Sequence, residues 1–212
     1  MDGISMTDEP SLEALLRRDE MAFVRLVERY QSTLLGLATL YVRRREIAEE
    51  VVQETWLAVI RGIDQFEGRS SLKTWLFSIA TNRARTRAAQ EARRVTISQL
   101  AQEELDRQEE LVDPERLHGE PLHWKVKPES WAATPESELL TRESMGILRA
   151  TIDRLPPVQR EVLRLRDIEG LASIEVCNIL EISETNQRVL LHRARVKVRD
   201  ALESFRGRRT GT

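Results

Sequence analysis

Cysteine, aromatic side chains and long apolar runs are scarce in this chain of 212 residues. Cys177 is the only cysteine, which excludes an internal disulfide framework and a cysteine-rich zinc site. The histidines at 118, 123 and 192 lack metal-ligand spacing. No apolar run approaches the roughly 20 residues of a membrane span, and the acidic N-terminus lacks a signal-peptide pattern. We therefore expect a cytoplasmic protein without a membrane span, a metal or a cofactor.

Catalytic constellations are also lacking, because the sequence shows no nucleophile–base arrangement and no glycine-rich phosphate loop. We therefore expect no enzymatic activity and no catalytic residue. Charged residues make up 32% of the chain and aromatic residues 5%, which favours a soluble helical protein. The net charge of −2 argues against a uniformly basic nucleic-acid coat protein. Any binding of nucleic acid must come from local basic patches.

Apolar residues recur at helical spacing, and no alternating strand pattern is present. This pattern predicts an all-α fold with two helical domains joined by a long acidic linker. The predicted segments are a disordered leader over 1–10, a first domain over 11–95, a linker over 96–137, a second domain over 138–206 and a tail over 207–212.

The stretch Phe66–Arg94 combines a polar loop with a basic helix. Residues 61–94 carry eight basic and three acidic side chains, a local charge of +5. Glycine and serines in the loop permit a tight turn and a helix cap. Such a face suits nucleic-acid backbone and unstacked bases, and a solvated charged helix face is the alternative. The apolar face is predicted to hold Leu72, Trp75, Leu76, Ile79 and Ala80, with Lys73, Thr74, Ser78, Thr81, Asn82 and Arg85 on or beside the polar face.

The spacing of apolar side chains over residues 46–60 predicts another amphipathic helix. Its buried side is expected to hold Ile47, Val51, Trp56, Leu57 and Ile60. Its polar side carries an acidic patch that could meet a basic partner, or that could be a solvated face. The acidic patch consists of Glu49, Glu50, Gln53 and Glu54.

The linker is acidic, with twelve acidic and five basic residues over 103–143, a local charge of −7. Prolines recur there every seven residues and interrupt regular helix. A helical turn or two is compatible with residues 99–111. Trp124 and Trp131 are unusual in a flexible linker, and they either dock on a domain of this chain or lie buried in a partner.

The sequence of the second domain predicts a helix-turn-helix. Pro156 and Pro157 end one helix and start the next, a short helix ends near Glu181, and Ser183 caps a long basic helix. Residues 188–209 carry eight basic and two acidic side chains, +6 in total. Arginines there could bridge a guanine edge or clamp phosphates, whereas a basic solvated helix on an ordinary bundle is the alternative. The surface residues are Thr185, Asn186, Arg188, Val189, His192 and Arg193.

Three stretches, residues 48–57, 66–85 and 155–195, together resemble the extracytoplasmic-function sigma factors of bacterial RNA polymerase, which belong to the sigma-70 family. By this resemblance, residues 11–95 correspond to sigma region 2 and residues 138–206 to sigma region 4. The linker corresponds to region 3.2 and would thread toward the polymerase active site. The chain would then direct core RNA polymerase to promoters and help melt the DNA.

The resemblance also assigns residues. The acidic patch would grip the coiled coil of the largest polymerase subunit, with a further contact at the flap region. The helix-turn-helix would read the −35 motif in duplex DNA with its six surface residues. The element that reads the −10 motif and holds the melted strand would include Phe66, Arg69, Ser70, Ser71, Lys73, Thr74, Asn82 and Arg85.

Three residues depart from the family pattern in the helix-turn-helix. Glu181 stands where glycine is usual, so the turn needs a residue that tolerates a strained backbone. Gln187 occupies an inward position that is normally apolar, and Val189 replaces a small polar residue. The family also implies an anti-sigma partner. Two other hypotheses compete with the sigma factor: a dimeric stand-alone helix-turn-helix regulator that binds duplex DNA by itself, and a helical adaptor that binds only proteins.

Overall fold

The computed structural model describes residues 10–90, 97–106 and 135–210. These ranges form helices and contain no strand, which confirms the predicted all-α class. No helix within them is both long and apolar enough to cross a membrane. Trp124, Trp131, His118 and His123 lie outside the described residues, as do most of the predicted leader and the end of the tail.

An N-terminal bundle is built from α1 (Leu12–Leu16), α2 (Glu20–Tyr41), α3 (Arg45–Gly62) and α4 (Leu72–Gln90), with a short 3₁₀ turn at Ile63–Gln65. Helices α2, α3 and α4 pack on one another. Asp19 begins α2, because its carboxylate accepts the N–H of Ala22 at 3.0 Å. Tyr30 and Phe77 meet edge to face at the centre, with ring centroids 5.6 Å apart.

The buried stripe of α3 differs from the prediction. Ile47 and Val51 are buried as expected, but Leu57 and Ile60 are 51% and 40% exposed. The helix instead buries Ala48, Val52, Thr55 and Val59 against α2 and α4. Thr55 is tolerated there because its hydroxyl donates to the backbone oxygen of Val51 at 2.8 Å.

The C-terminal unit consists of α6 (Pro135–Asp153), α7 (Pro157–Leu163), a π-helical turn (Arg164–Ile168), α8 (Ser173–Leu180) and α9 (Glu184–Thr210). Pro157 occupies the first turn of α7, where its missing N–H costs nothing. The N–H of Asn186 donates to the Ser183 hydroxyl at 3.1 Å, so Ser183 caps α9. Cys177 fills a buried position on α8, and burial raises its pKa.

Part of the predicted linker is a helix, α5 (Ile97–Asp106), which packs on α7 and α9. Glu104 joins it to the C-terminal unit. The carboxylate of Glu104 accepts the N–H of Val158 at 2.9 Å and that of Gln159 at 3.1 Å. These two donors belong to the first turn of α7, which has no intrahelical partners for them. A side chain of the linker therefore caps a helix of the C-terminal unit.

The N-terminal bundle and the C-terminal unit touch through α2 against α7 and through α4 against α8. Gly36 lies at the first contact, where a Cβ would stand 2.5 Å from the Glu161 carboxylate. The basic polar face of α4 is thereby brought against the acidic end of the helix-turn-helix.

Candidate nucleic-acid and polymerase interfaces

The loop before α4 is anchored at both ends. The rings of Phe66 and Trp75 pack at 5.1 Å between centroids, and the Ser71 hydroxyl accepts the Thr74 N–H at 3.2 Å. Gly68 between them has a φ of 68°, a left-handed conformation that glycine adopts without strain. The anchored turn leaves Arg69, Ser70 and Ser71 exposed to solvent.

The α4 residues predicted to bind DNA divide into two groups. Asn82 is exposed on α4, the helix that follows the loop. Lys73, Thr74 and Arg85 instead contact the C-terminal unit. The Lys73 ammonium donates to the backbone oxygen of Glu169 at 2.6 Å, and the Thr74 hydroxyl donates to Glu175 at 2.7 Å. Arg85 forms an ion pair with Glu181.

One prediction on burial in α4 is wrong, and one core residue was missed. Thr81, expected on the polar face, is 3% exposed, and its hydroxyl donates to the backbone oxygen of Phe77 at 3.0 Å. Phe77, which the sequence pattern did not place in the core, is fully buried. The bond to its own helix satisfies the threonine hydroxyl, so the residue can face the core.

The acidic patch lies on the exposed side of α3, beside basic residues of α4. Glu50 pairs with Arg87 at 2.7 Å and Glu54 with Arg83 at 3.3 Å. Glu49 pairs with Arg45 within α3 at 2.9 Å, and Gln53 is exposed. Exposed ion pairs such as these contribute about 0–1 kcal/mol each, so a partner's cations can replace them at small cost.

Exposed apolar side chains adjoin the acidic patch. Leu57 follows it on α3 and lines a shallow groove together with Glu54, Arg61 and Arg83. Sequence reasoning missed this apolar component, because Leu57 and Ile60 were expected in the core. A surface that combines carboxylates with exposed leucine and isoleucine is suited to binding a helix of a protein partner.

The predicted recognition surface on α9 is largely open. Thr185, Arg188 and His192 are exposed, and Asn186 and Val189 are half-buried. Arg188 reaches Glu184 of its own helix at 3.5 Å. These side chains extend from the capped start of the helix, the part of a recognition helix that contacts base edges.

Arg193 is held differently from the rest of the recognition surface. Its guanidinium donates to the backbone oxygens of Leu105 at 2.8 Å and Glu104 at 3.3 Å. Glu104 and Leu105 lie in the last turn of α5, where carbonyl groups lack intrahelical partners. The structure therefore places Arg193 against the linker helix.

The turn of the helix-turn-helix has the strained backbone that the sequence predicts. Glu181 has φ 54° and ψ 43°, the left-handed conformation. Gln187 points inward and is 3% exposed, where its amide oxygen accepts the Ser173 hydroxyl at 2.9 Å. Ser173, the first residue of α8, thus ties α8 to α9, and Ala172 occupies the N-cap position of α8.

Two carboxylates are buried where the N-terminal bundle meets the C-terminal unit. Burial raises the pKa of Glu161, against the opposing effect of Arg164 and Arg160. Burial likewise raises the pKa of Glu169, opposed by Arg29 and by a hydrogen bond from Thr33. Neither glutamate was singled out by sequence reasoning, because Glu161 within α7 and Glu169 just after the π-helical turn carry no local signal of burial.

The helix-turn-helix is also braced by an ion pair that the sequence did not indicate. The guanidinium of Arg195 donates to both oxygens of Asp167, at 2.9 and 2.6 Å. Both side chains are largely buried, so this arginine of the basic α9 serves the fold. The described residues contain no cluster of three or more side chains suited to hold a metal ion.

Comparisons with known proteins agree with this arrangement. Residues 26–94 match the family Sigma-70 region 2, and residues 145–198 match Sigma-70, region 4. The chain is 30% identical to the ECF RNA polymerase sigma-E factor of Haemophilus influenzae, over 93% of this chain and 96% of that protein. It is 31% identical to the RNA polymerase sigma-H factor of Pseudomonas aeruginosa, over 92% of this chain and 94% of that protein.

A similar solved structure is the sigma factor RpoE in complex with the anti-sigma factor NepR from Bartonella quintana. It has 19% sequence identity and a TM-score of 0.44, and the match covers 85% of this chain and 96% of that one. The family matches fall on the N-terminal bundle and the C-terminal unit, and the identity to full-length relatives extends through both. The chain therefore belongs to the extracytoplasmic-function sigma factors, the promoter-specificity subunits of bacterial RNA polymerase.

Proposed function

We propose that this sigma factor binds core RNA polymerase through α3 and reads a two-part promoter, the −10 motif with α4 and its loop and the −35 motif with α9. The observation that carries the proposal is the row of Thr185, Arg188 and His192. These residues are spaced by three and four positions, so they share one exposed face of a capped helix. That is the geometry with which a recognition helix enters a major groove.

The −10 reader would use the exposed loop and Asn82. Arg69, Ser70 and Ser71 stand on a turn fixed by the Phe66–Trp75 contact, so the loop is preorganised to accept an unstacked base. Base–aromatic stacking contributes roughly 1–3 kcal/mol per captured base, which offsets the cost of unpairing. Lys73, Thr74 and Arg85 would join this surface once they are released from the C-terminal unit.

The polymerase contact would use the acidic patch together with Leu57. Carboxylates on α3 would pair with basic side chains of the coiled coil of the largest subunit, and the exposed leucine would add apolar contact. The C-terminal unit would bind the flap region. This assignment makes the chain a non-catalytic factor of the cytoplasm, whose binding energy performs the work of melting.

An anti-sigma factor would be the regulatory partner. The α3 surface offers it both carboxylates and exposed apolar side chains, and covering that surface would exclude polymerase. A stand-alone helix-turn-helix regulator remains the second candidate, and it would need neither the acidic patch nor core enzyme.

Two variants test the proposal by separating its steps. Arg188→Ala should weaken the closed promoter complex by about 1–3 kcal/mol and relax the preference at one −35 base pair. Asn82→Ala should leave closed-complex formation near normal and reduce permanganate reactivity of the melted strand. An equal loss of both steps in Asn82→Ala would contradict its placement at the melted strand.

A further inference from the structure

We infer that Arg18, in the turn between α1 and α2, is a positioning residue for the loop that reads the −10 motif. Its guanidinium joins this turn to the end of α3 and to Asp64, from which the chain continues into the loop. The inference rests on the function proposed for the loop. It adds a residue, distant in the sequence, that holds the start of the loop in place.

Arg18 has a left-handed backbone, with a φ of 61°. It follows the C-cap residue Arg17, and its N–H donates to the backbone oxygen of Leu15 at 3.0 Å. The N–H of Asp19 donates to the backbone oxygen of Ala14 at 3.0 Å. These hydrogen bonds define a Schellman turn, in which glycine usually occupies the left-handed position. Arginine is strained there where glycine would not be, so its presence points to a contribution from the side chain.

The side chain of Arg18 contacts the end of α3 and the turn that follows it. One guanidinium nitrogen donates to the backbone oxygen of Ile60 at 2.8 Å, and another pairs with the carboxylate of Asp64. Ile60 lies in the last turn of α3, where carbonyl groups lack regular intrahelical partners. Asp64 belongs to the 3₁₀ turn Ile63–Gln65. Arg18 therefore caps α3 and holds the 3₁₀ turn against it.

The 3₁₀ turn leads directly into the loop. Ile63 is fully buried, and its backbone oxygen accepts the N–H of Phe66 at 3.1 Å. Phe66 packs on Trp75 of α4, with ring centroids 5.1 Å apart. Asp64 lies between these two anchored residues, so a displacement of Asp64 moves the point at which the loop begins. Its contact with Arg18 opposes that displacement.

The backbone that carries Arg18 is itself fixed. Leu15 of α1 is fully buried, and the carboxylate of Asp19 caps α2 by accepting the N–H of Ala22 at 3.0 Å. The α1 helix also packs on the 3₁₀ turn. A side chain that extends from such a base can hold a loop in one place, because functional loops are most precise when rigid elements support them.

The contact is too exposed to be a main source of stability. The side chains of Arg18 and Asp64 are 49% and 54% exposed, and an ion pair of this kind adds little to the stability of the fold. Its loss should therefore act on the loop and leave the bundle folded. A loop that is less ordered before binding must be ordered when it captures a base, which weakens binding of the melted strand. The expected defect is one of melting without a loss of stability.

Arg18→Gly removes the side chain and suits the left-handed turn, so the urea midpoint should stay close to that of wild type. Hydrogen exchange of the Phe66 amide should accelerate about three- to tenfold, because the 3₁₀ turn loses a charge-assisted contact. The functional readout uses core RNA polymerase at a promoter mapped from its transcript starts. At limiting holoenzyme, permanganate reactivity of the melted strand should fall about three- to tenfold, with closed-complex formation near normal.

The matched control is Arg17→Gly, which removes the same side chain and the same charge one position earlier. Arg17 is exposed and pairs with Glu13 of its own helix at 3.4 Å, so exchange of the Phe66 amide and promoter melting should stay at the wild-type level. Arg18→Lys keeps the charge without the planar fork and should fall between wild type and Arg18→Gly. Adding Asp64→Ala to Arg18→Gly should cause no further defect, because both changes remove the same contact.

Unchanged exchange of the Phe66 amide in Arg18→Gly would overturn the positioning role, and transcription by the wild-type holoenzyme would still decide the proposed function. Faster exchange with normal melting would overturn the role of Arg18 in promoter opening and count against the −10 assignment of the loop. A urea midpoint that falls in step with melting would show a merely structural role. Faster exchange and weaker melting at an unchanged midpoint, in Arg18→Gly and not in Arg17→Gly, support the inference.

Discussion

Gly36 of α2 lies against the buried carboxylate of Glu161 on α7, so closely that a Cβ at Gly36 would stand 2.5 Å from Glu161 Oε1. The missing side chain allows α2 and α7 to approach each other. Within α2 a glycine costs about 1 kcal/mol relative to alanine. The glycine therefore serves the contact between the N-terminal bundle and the C-terminal unit at the expense of the helix that contains it.

Gly36→Ala should consequently stabilise α2 and weaken the contact with α7. We expect unchanged or higher helix content by circular dichroism and a larger radius of gyration in solution. Adding Glu161→Ala removes the opposing carboxylate and should restore the wild-type radius. A compact Gly36→Ala single variant would show that Glu161 moves aside without cost.

Glu104 caps α7 from the linker. Glu104→Gln keeps one acceptor for the two N–H groups of Val158 and Gln159, so we expect a loss of about 1 kcal/mol in the stability of the C-terminal unit. Hydrogen exchange of those two amides should accelerate. Gln102→Ala, at an exposed position on the same helix, is the control. Unchanged exchange of both amides would mean that Glu104 does not cap α7 in solution.

Arg195 braces α9 against the π-helical turn. Arg195→Lys keeps the charge but loses the two-point contact with Asp167. We therefore expect the free energy of unfolding of the C-terminal unit to fall by about 1–2 kcal/mol. Arg199→Lys changes an exposed arginine and should stay within about 0.5 kcal/mol of wild type. Equal urea midpoints for the two variants would contradict the bracing role.

The raised pKa of Glu161 predicts a pH dependence of stability. The folded protein binds a proton at this carboxyl at a higher pH than the unfolded chain does, so the free energy of unfolding rises as pH falls through the raised native pKa. The gain is complete below the unfolded pKa of about 4.3. Glu169 shifts in the same direction. Urea unfolding from about pH 7 down to about pH 4.3 should show a smaller gain in Glu161→Gln than in wild type.

If the free energy of unfolding changed with pH equally in wild type and in Glu161→Gln, the Glu161 carboxyl would be exposed to water in solution, contrary to the structure. Arg160 and Arg164 oppose the shift, so their charge must be kept constant across the comparison. Glu13→Gln, which alters an exposed carboxylate on α1, serves as the matched control.

The acidic patch on α3 is exposed, so changing it should affect polymerase binding without affecting the fold. Glu50→Lys together with Gln53→Ala should abolish binding to core RNA polymerase in a pull-down and leave helix content intact. The pair that Glu50 makes with Arg87 is exposed, so its loss costs at most about 1 kcal/mol. Glu13→Lys makes the same charge change away from α3 and should bind normally. Normal binding by the double variant would contradict the assignment.

The sequence predicts the elements and their caps well, because these depend on local signals. Ser183 begins α9, Pro157 begins α7, and Glu181 adopts the left-handed turn, each within a residue or two of its signal. The burial of α3 was predicted less well, because Leu57 and Ile60 fit an apolar periodicity that the packing of α2 and α4 does not use.

The contacts between the N-terminal bundle and the C-terminal unit could not be predicted from the sequence. Arg85 and Glu181 are 96 residues apart, and Arg29 and Glu169 are 140 residues apart. No spacing rule relates side chains over such separations in sequence, and an acidic residue just after a helix is ordinarily solvated. Thr81 shows the same difficulty on a smaller scale, because its burial depends on what packs against α4.

As a sigma factor, this chain should direct core RNA polymerase to promoters with two DNA-reading surfaces, one in each helical unit. The most direct test is to combine the purified protein with sigma-free core enzyme on a genomic DNA library and to map transcript starts. We predict discrete start sites that share two sequence blocks upstream, and loss of these starts with the Glu50→Lys, Gln53→Ala protein. Absence of initiation, together with tight duplex binding by the protein alone, would contradict promoter selection for core polymerase and identify a stand-alone regulator.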